Sequence, residues 1–246
     1  MSNEKGLARV IGVSFIIATA AAVIGDRLLR PIRDDSDYLD NFSTHETRVI
    51  IGVLTEVILA VSVVAIAVLF LPILKRQNEV AAQFYIGVRI LEGMVILVGA
   101  MSSLLLLSLS KDYIATGSLD SSGFDVSGSV VLAAREWTDS LGPAIVFALS
   151  ALILYSTLYA SRLVPRFLSV WGFVGAVMLL VAGVGGLYGE SPTSARSIAL
   201  TAPIGINEMV LALWLIIRGF DLRGPDTESV TDRCEATPSL DLTRIS

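Results

Sequence analysis

The sequence contains a single cysteine, Cys234, and a single histidine, His45, among its 246 residues. One cysteine excludes an intramolecular disulfide and a thiolate metal cluster, and one histidine excludes sites built on several histidines. The chain also lacks a P-loop, a GxSxG elbow, an HExxH pair and a dinucleotide fingerprint. We therefore predict no catalytic residue, no metal site and no cofactor.

Charge is scarce as well, since Lys, Arg, Asp and Glu together make up 17% of the residues. The net charge is −5, and no basic stripe is present, so nucleic acid is not an expected partner. Hydrophobic residues are abundant at 54%, and the mean hydropathy is +0.73. They form continuous blocks, and a hydrocarbon core of about 30 Å takes about 20 helical residues.

Only helices and closed barrels can span a membrane, because backbone polar groups find no water there. The apolar blocks are continuous rather than alternating, which disfavours barrel strands. The sequence therefore predicts an all-α, polytopic integral membrane protein with the lipid bilayer as its first partner. Six segments are long enough to be transmembrane helices: about 8–24, 48–74, 80–109, 129–161, 168–188 and 197–217.

The first of these segments also fits a cleavable signal peptide, because a basic start precedes a short apolar run. The later spans make a signal peptide unnecessary, and we expect the first segment to be retained as a transmembrane helix. We predict one transmembrane domain over residues 1–220. Residues 221–246 are rich in Pro, Thr, Ser and Asp, and we predict a disordered cytoplasmic tail there.

The connections carry their own signals. We expect an acidic loop over 26–43, and Ser43-Thr44-His45-Glu46 has the spacing of a capping box that starts a helix. Residues 110–128, rich in Ser, Gly and Asp, read as a second long loop. Gly142-Pro143 should kink the fourth span or end a preceding piece. The part before that dipeptide, which includes Arg135, is predicted to be interfacial or re-entrant.

The distribution of Lys and Arg near the span ends predicts the orientation. If the amino terminus is inside, the opposite face carries seven basic residues among many acids. The cytoplasmic face, where both termini lie, then carries eight basic residues: Lys5, Arg9, Lys75, Arg76, Arg162, Arg166, Arg218 and Arg223.

Three carboxylates lie within the predicted spans, and a charge at mid-bilayer costs at least about 2.5–3.5 kcal/mol. The span ends place Glu208 near the middle and Glu56 nearer the outer side. Arg89, nearer the inner side, is three residues before Glu92, so the two lie on one helix face and can touch. Arg135 supplies a second positive charge if its segment dips inwards.

These side chains predict a polar pocket inside the bundle, because intramembrane ions mark functional sites by default. The alternative is that Arg–Glu pairs and buried amides only hold helices together. The predicted ligand-binding residues are Glu56, Arg89, Glu92, Arg135, Asn207 and Glu208.

Several strings resemble a bacterial family of uncharacterised membrane proteins, domain of unknown function 4386. The similarity extends to about Phe220. The strings are Arg9-Val10-Ile11-Gly12, Phe15-Ile16-Ile17-Ala18-Thr19, Glu56, Tyr85-Ile86-Gly87-Val88-Arg89-Ile90-Leu91-Glu92-Gly93, Ala133-Ala134-Arg135-Glu136-Trp137, Leu163-Val164-Pro165-Arg166-Phe167-Leu168-Ser169-Val170-Trp171-Gly172 and Pro203-Ile204-Gly205-Ile206-Asn207-Glu208-Met209. The resemblance implies six spans in a bacterial cell membrane and carries no activity with it.

Three functional hypotheses follow. The first is a protein that binds or transports a small or lipid-like ligand in the polar pocket. The second is an intramembrane enzyme in which glutamates act as general acid and base on a lipid substrate. The third is a structural or regulatory subunit. Six spans are few for a transporter, which leaves a homo-oligomer open.

Overall fold

The computed structural model describes residues 2–116 and 121–220, and within these ranges the backbone forms helices and short turns but no strand. The predicted tail, 221–246, lies outside the described residues. The helices are α1 (Ser2–Arg33), α2 (Tyr38–Thr44), α3 (Glu46–Leu74), α4 (Glu79–Ala115), α5 (Ser121–Ser140), a π-helical turn (Leu141–Val146), α6 (Phe147–Ser161), α7 (Arg166–Leu187) and α8 (Ala195–Ile217).

Six helical segments are long and apolar enough to cross a membrane, which confirms the predicted number. The segment Gly123–Ser161 counts as one span that includes α5, the π-helical turn and α6. Large apolar side chains point outwards along the spans, among them Val61, Met101 and Val174. An outward apolar surface of this kind suits hydrocarbon rather than water. The chain is a multi-pass membrane protein.

The six spans form a closed ring. Neighbours in the ring are α1 with α3, α3 with α4, α4 with α5 and α6, α6 with α7, α7 with α8, and α8 with α1. Because the spans alternate in direction, residues 2 and 220 lie at one end of the bundle, which we call the terminal face. The short helix α2 and the turn 188–194 lie at the other end, the loop face.

The interior of the ring is filled unequally. Near the terminal face, α1, α3, α4 and α6–α8 bury one large apolar core that includes Phe15, Phe70, Tyr85 and Tyr155. The ring of Phe70 makes edge-to-face contacts with Phe15, Tyr85 and Phe220, with centroids 5.8–6.3 Å apart. Towards the loop face, a smaller apolar cluster joins α1, α2, α3 and α4. The remaining space in that half is the cavity described below.

The predicted loops are wrong in extent because the helices continue beyond the apolar blocks. Helix α1 runs to Arg33 and α2 begins at Tyr38, so the two helices together occupy most of the predicted acidic loop, and α4 continues to Ala115. The Asp26–Arg30 salt bridge at 2.7 Å supports the polar last turns of α1. Hydropathy marks where a chain meets lipid and not where its helix ends.

The helix start predicted at Ser43-Thr44-His45-Glu46 is confirmed, but the capping box is wrong. Helix α3 begins at Glu46, but its N-cap is His45, and no side-chain hydrogen bond caps it. Ser43 lies in the last turn of α2, where its backbone N–H donates to the hydroxyl of Ser110 at 2.9 Å. The same hydroxyl donates to the carbonyl of Leu39. The Ser110 hydroxyl of α4 therefore bridges a carbonyl and an N–H of α2, and it does not cap α3.

The disturbance predicted at Gly142-Pro143 is confirmed as a π-helical turn over Leu141–Val146. Proline lacks an N–H and its ring crowds the preceding turn, and the wider π turn accommodates both. The re-entrant alternative predicted for the section before it is wrong, whereas the interfacial alternative stays a prediction. Helix α5 is continuous with the turn and packs against α4, which directs Arg135 into the bundle.

Candidate functional site

A buried ion pair joins α3 and α5 in the half of the bundle nearer the loop face. Glu56 and Arg135 are each only 7% exposed, and Nη2 of Arg135 donates to Oε1 of Glu56. The two residues are 79 positions apart in the chain. Charged groups inside a membrane require such pairing, because neither carboxylate nor guanidinium finds water in hydrocarbon.

Two further residues extend the pair into a network. Nη2 of Arg135 lies 3.3 Å from Oδ1 of Asp139, one turn along α5. The second carboxylate oxygen of Asp139 accepts from Nη1 of Arg33 at 2.6 Å, at the end of α1. Two cations thus alternate with two carboxylates, and the network of Arg33, Asp139, Arg135 and Glu56 has no net charge when all four are ionised.

Gly99 of α4 makes room for the centre of this network. The guanidinium of Arg135 lies directly against Gly99, where any Cβ would overlap its Nη1 atom. The hydroxyl of Thr138 also lies 2.9 Å from the position that such a Cβ would take. Only glycine lets the arginine approach the α4 backbone this closely. Gly99 is thus a positioning residue for Arg135.

The network borders a cavity of about 780 Å³. This volume lies within the range of about 300–1,000 Å³ that small-molecule sites occupy. Its mouth carries polar residues from the ends of α1 and α5 and from the α7–α8 turn. Its floor, one turn or more deeper, is apolar and includes Leu59, Ile96, Ala144, Leu179 and Ala182.

Two polar atoms of the network have no hydrogen-bond partner within the part of the chain that the structure describes. Oε2 of Glu56 and Nε of Arg135 are buried and have no partner among the described residues. Both side chains line the cavity. A buried polar atom without a partner costs about 1–3 kcal/mol, so a ligand that supplied partners would be stabilised correspondingly. One of the two atoms is an acceptor and the other is a donor.

A second ionic cluster lies closer to the terminal face, on α4. Nη1 of Arg89 lies 3.2 Å from Oε2 of Glu92, and the two side chains are 2% and 5% exposed. The predicted contact between them is confirmed. Nε of Arg89 donates to the hydroxyl of Tyr85 at 3.3 Å, and the guanidinium lies 5.0 Å from the ring centre of Phe147. Such cation–π contact stabilises a guanidinium that has lost its water.

Glu208 of α8 belongs to this second cluster by electrostatics rather than by contact. It lies within electrostatic range of Arg89 and Glu92, yet no salt bridge joins it to a described residue. Nη2 of Arg89 and the hydroxyl of Tyr155 are buried without a partner in the described chain. Among the described residues, Glu92 is the carboxylate that contacts Arg89.

Asn207 has a structural contact. It is fully buried, and its Nδ2 donates to the backbone carbonyl of Leu168 at 3.0 Å. This hydrogen bond ties α8 to the first turn of α7. The contact is of the kind that holds helices together, and Oδ1 of Asn207 is buried without a partner among the described residues.

The structure thus divides the six predicted site residues into groups. Glu56 and Arg135 meet at the cavity, whereas Arg89, Glu92 and Glu208 gather in the second cluster, and Asn207 joins two helices. The second cluster lies about one helical turn from the cavity floor, because Glu92 precedes Ile96 by four residues on α4. Whether all six bind a ligand stays a prediction.

Sequence reasoning missed Arg33, Asp139 and Gly99. Arg33 was placed in a loop because the apolar run ends at Ile24. The signal for it is the spacing of Arg27, Arg30 and Arg33, which share one helix face if α1 continues. No signal in the sequence pairs a residue of α1 with one of α5, since 106 positions separate Arg33 from Asp139.

A family model described as "Domain of unknown function (DUF4386)" matches residues 10–219. The match covers 210 of the 246 positions; it contains five of the spans whole, most of the first span, and every member of both ionic clusters. It confirms the family resemblance seen in the sequence. No curated protein and no solved structure matches the chain.

Proposed function

The chain belongs to the family of membrane proteins defined by the domain of unknown function DUF4386, and we propose that it binds or transports a small or lipid-like ligand in a bacterial cell membrane. The ligand occupies the cavity beside Glu56 and Arg135. The observation that carries this proposal is the juxtaposition of a cavity of about 780 Å³ with a buried ionic network that keeps one unpaired donor and one unpaired acceptor.

The energetics of a buried ion pair support this proposal. Replacing a buried ion pair by apolar residues is often neutral or stabilising, so an ion pair is weak evidence for a purely structural role. Glu56 and Arg135 each keep one buried polar atom unpaired within the described residues, as Arg89 and Asn207 do, but of these four only Glu56 and Arg135 line the cavity. Both features fit a site that holds a polar ligand.

The enzyme hypothesis has less support. General acid–base chemistry requires a carboxyl group that can take and give a proton beside the substrate. The two carboxylates of the network, Glu56 and Asp139, are both engaged with Arg135, and Asp139 also with Arg33. This arrangement favours binding over proton transfer.

The test is a comparison of Glu56→Gln with Glu46→Gln in the purified full-length protein. Two probes are used: free phosphoethanolamine, and phosphatidylethanolamine in mixed micelles. We expect at least one probe to raise the unfolding temperature of the wild type, since a ligand at 100 times its Kd stabilises by about 2.7 kcal/mol. Glu56→Gln should lose most of that rise, because a neutral amide replaces the carboxylate.

Glu46 is a matched control, because it lies on the same helix and forms its salt bridge with Lys111 at the exposed loop face. Glu46→Gln should respond to the probe as the wild type does. Equal stabilisation of wild type and Glu56→Gln, or no response of the wild type to either probe, would contradict the proposal.

A further inference from the structure

Helices α1 and α8 meet closely near the terminal face. A Cβ on Gly12 would lie 2.6 Å from the carbonyl oxygen of Ala212 and 2.7 Å from Cγ1 of Ile216. The two backbones are therefore in contact at this level. The helices are antiparallel neighbours in the ring, so this contact fixes which residues lie at the same height further along.

Ten residues beyond Gly12 on α1 is Ala22, and ten residues before Ala212 on α8 is Ala202, next to Thr201. Both Ala22 and Thr201 line the cavity. One turn further towards the loop face, Asp26 and Ser197 line it as well. At 1.5 Å per residue, the helices that touch at Gly12 are thus separated by the cavity about 15–20 Å away.

We infer that the cavity opens sideways to the bilayer between α1 and α8, and that its ligand is a zwitterionic membrane amphiphile. The inference rests on the proposed function and names the chemical class of its ligand. Because α1 and α8 are neighbours in a closed ring, the space between them faces the surrounding lipid. A ligand can therefore enter by lateral movement, with its hydrocarbon part remaining in apolar surroundings.

The charges of the site select the head group. At the depth of Glu56, the residues Arg33, Asp139, Arg135 and Glu56 neutralise one another, so a net charge placed there would lack compensation. The further carboxylates that line the cavity, Asp34, Glu136 and Glu190, are exposed or half-buried. A zwitterion adds no net charge. Its cationic group can donate to Oε2 of Glu56, and its anionic group can accept from Nε of Arg135, the two atoms without partners in the described chain.

The depth of the cavity limits where the charges can lie. Below the level of Glu56 the floor is apolar, with Leu59, Ile96 and Leu179, and holding a charge there would be costly. At the opening, the Asp26–Arg30 salt bridge gives the head group a polar path. The head group therefore stops at the ionic network, while the hydrocarbon chain occupies the opening between α1 and α8.

The experiment uses full-length protein in vesicles of phosphatidylethanolamine and phosphatidylglycerol. A trace of either lipid carries a diazirine on its acyl chain, and cross-linked residues are mapped by mass spectrometry after photolysis. We expect the phosphatidylethanolamine probe to label the residues of α1 and α8 that border the opening at least about tenfold more than exposed residues of α4 such as Met101. A tenfold ratio corresponds to about 1.4 kcal/mol.

Ala22→Trp fills the opening and should reduce this labelling to the level of Met101. Val23→Trp is its matched control, because Val23 is the next residue of α1, is 52% exposed and does not line the cavity. It should label as the wild type does. If Ala22→Trp fails to fold, the labelling map of the wild type decides by itself.

Uniform labelling over all exposed faces, or equal labelling by the two lipid probes, would overturn the inference. A distinct result is that free phosphoethanolamine stabilises the wild type and Ala22→Trp equally, through Glu56. The ligand would then come from water, and the proposed function would stand without lateral access. Loss of every Glu56-dependent response would instead remove the proposed function itself.

Discussion

At the scale of single residues, polar side chains that look alike in the sequence have different surroundings. Glu56 borders a cavity, Glu92 pairs with an arginine on its own helix, and Asn207 ties two helices together. Each lies in an apolar run, so hydropathy alone marks all three as candidate functional residues and does not distinguish them. The contacts of the folded chain separate a candidate binding group from a packing group.

Asn207→Leu should lower stability without changing ligand response. The substitution removes the hydrogen bond from Nδ2 to the carbonyl of Leu168, and interhelical hydrogen bonds in membranes average about 0.6 kcal/mol with a maximum of about 1.7 kcal/mol. The free energy of unfolding, measured by titrating mixed micelles with dodecyl sulfate, should fall by that amount. The rise in unfolding temperature with phosphatidylethanolamine should remain.

The matched control is Ile206→Leu, which changes the neighbouring residue at a position 55% exposed. Its stability should equal that of the wild type. If Asn207→Leu instead abolished the response to the probe while keeping its stability, Asn207 would belong to the ligand site, as the sequence first indicated.

Sequence distance explains which contacts could be predicted. Arg89 and Glu92 are three residues apart, so helical geometry alone brings them together. Arg135 and Glu56 are 79 residues apart, and their pairing depends on how α3 and α5 pack around α4. The sequence therefore supplied the members of the site and one local pair, but not the network or the cavity.

At the scale of helices, the presence and number of the transmembrane helices could be predicted from the sequence, whereas the residues at which they end could not. The apolar blocks set six spans because a bilayer requires about 20 apolar residues for each crossing. The polar ends of α1 and α4 continue as helix through salt bridges and contacts with α2, which hydropathy does not record. The packing of neighbouring helices depends on small residues at specific heights, such as Gly12 between α1 and α8.

Gly12→Ala should destabilise the bundle. The new Cβ would lie 2.6 Å from a backbone carbonyl that cannot move without shifting α8, and overpacking of this kind costs about 1–3 kcal/mol. The same titration with dodecyl sulfate measures the loss.

Gly87→Ala provides the opposite expectation. No heavy atom lies within 4 Å of a Cβ on Gly87, which is also a helical residue of α4. Alanine should therefore stabilise the helix by about 0.5–1 kcal/mol. Equal effects of the two substitutions would show that helix propensity, rather than the contact between α1 and α8, sets the result.

At the scale of the whole molecule, six spans place both described ends on one face. The count of Lys and Arg predicts that this face is cytoplasmic. The orientation can be measured with single cysteines in a Cys234→Ser background, at Gln77 in the turn between α3 and α4 and at Thr193 in the turn between α7 and α8.

Both positions are exposed, so a membrane-impermeant maleimide can reach either of them from its own side. In intact cells it should label Thr193→Cys and spare Gln77→Cys. Permeabilisation should make both reactive. Labelling of Gln77→Cys alone in intact cells would reverse the predicted orientation, while the fold and the site would remain as described.

The π-helical turn over Leu141–Val146 determines how the gene can lose a single codon in this span. It holds one residue more than an α-helical turn, so losing one residue there would restore ordinary α-helical spacing with little rotation of α5 against α6. In an α-helical stretch, by contrast, each residue turns the helix by about 100°, so the same deletion would rotate the helix beyond it. A one-codon deletion in the π-helical turn would therefore leave a chain that still inserts into the membrane and still directs Arg135 towards Glu56.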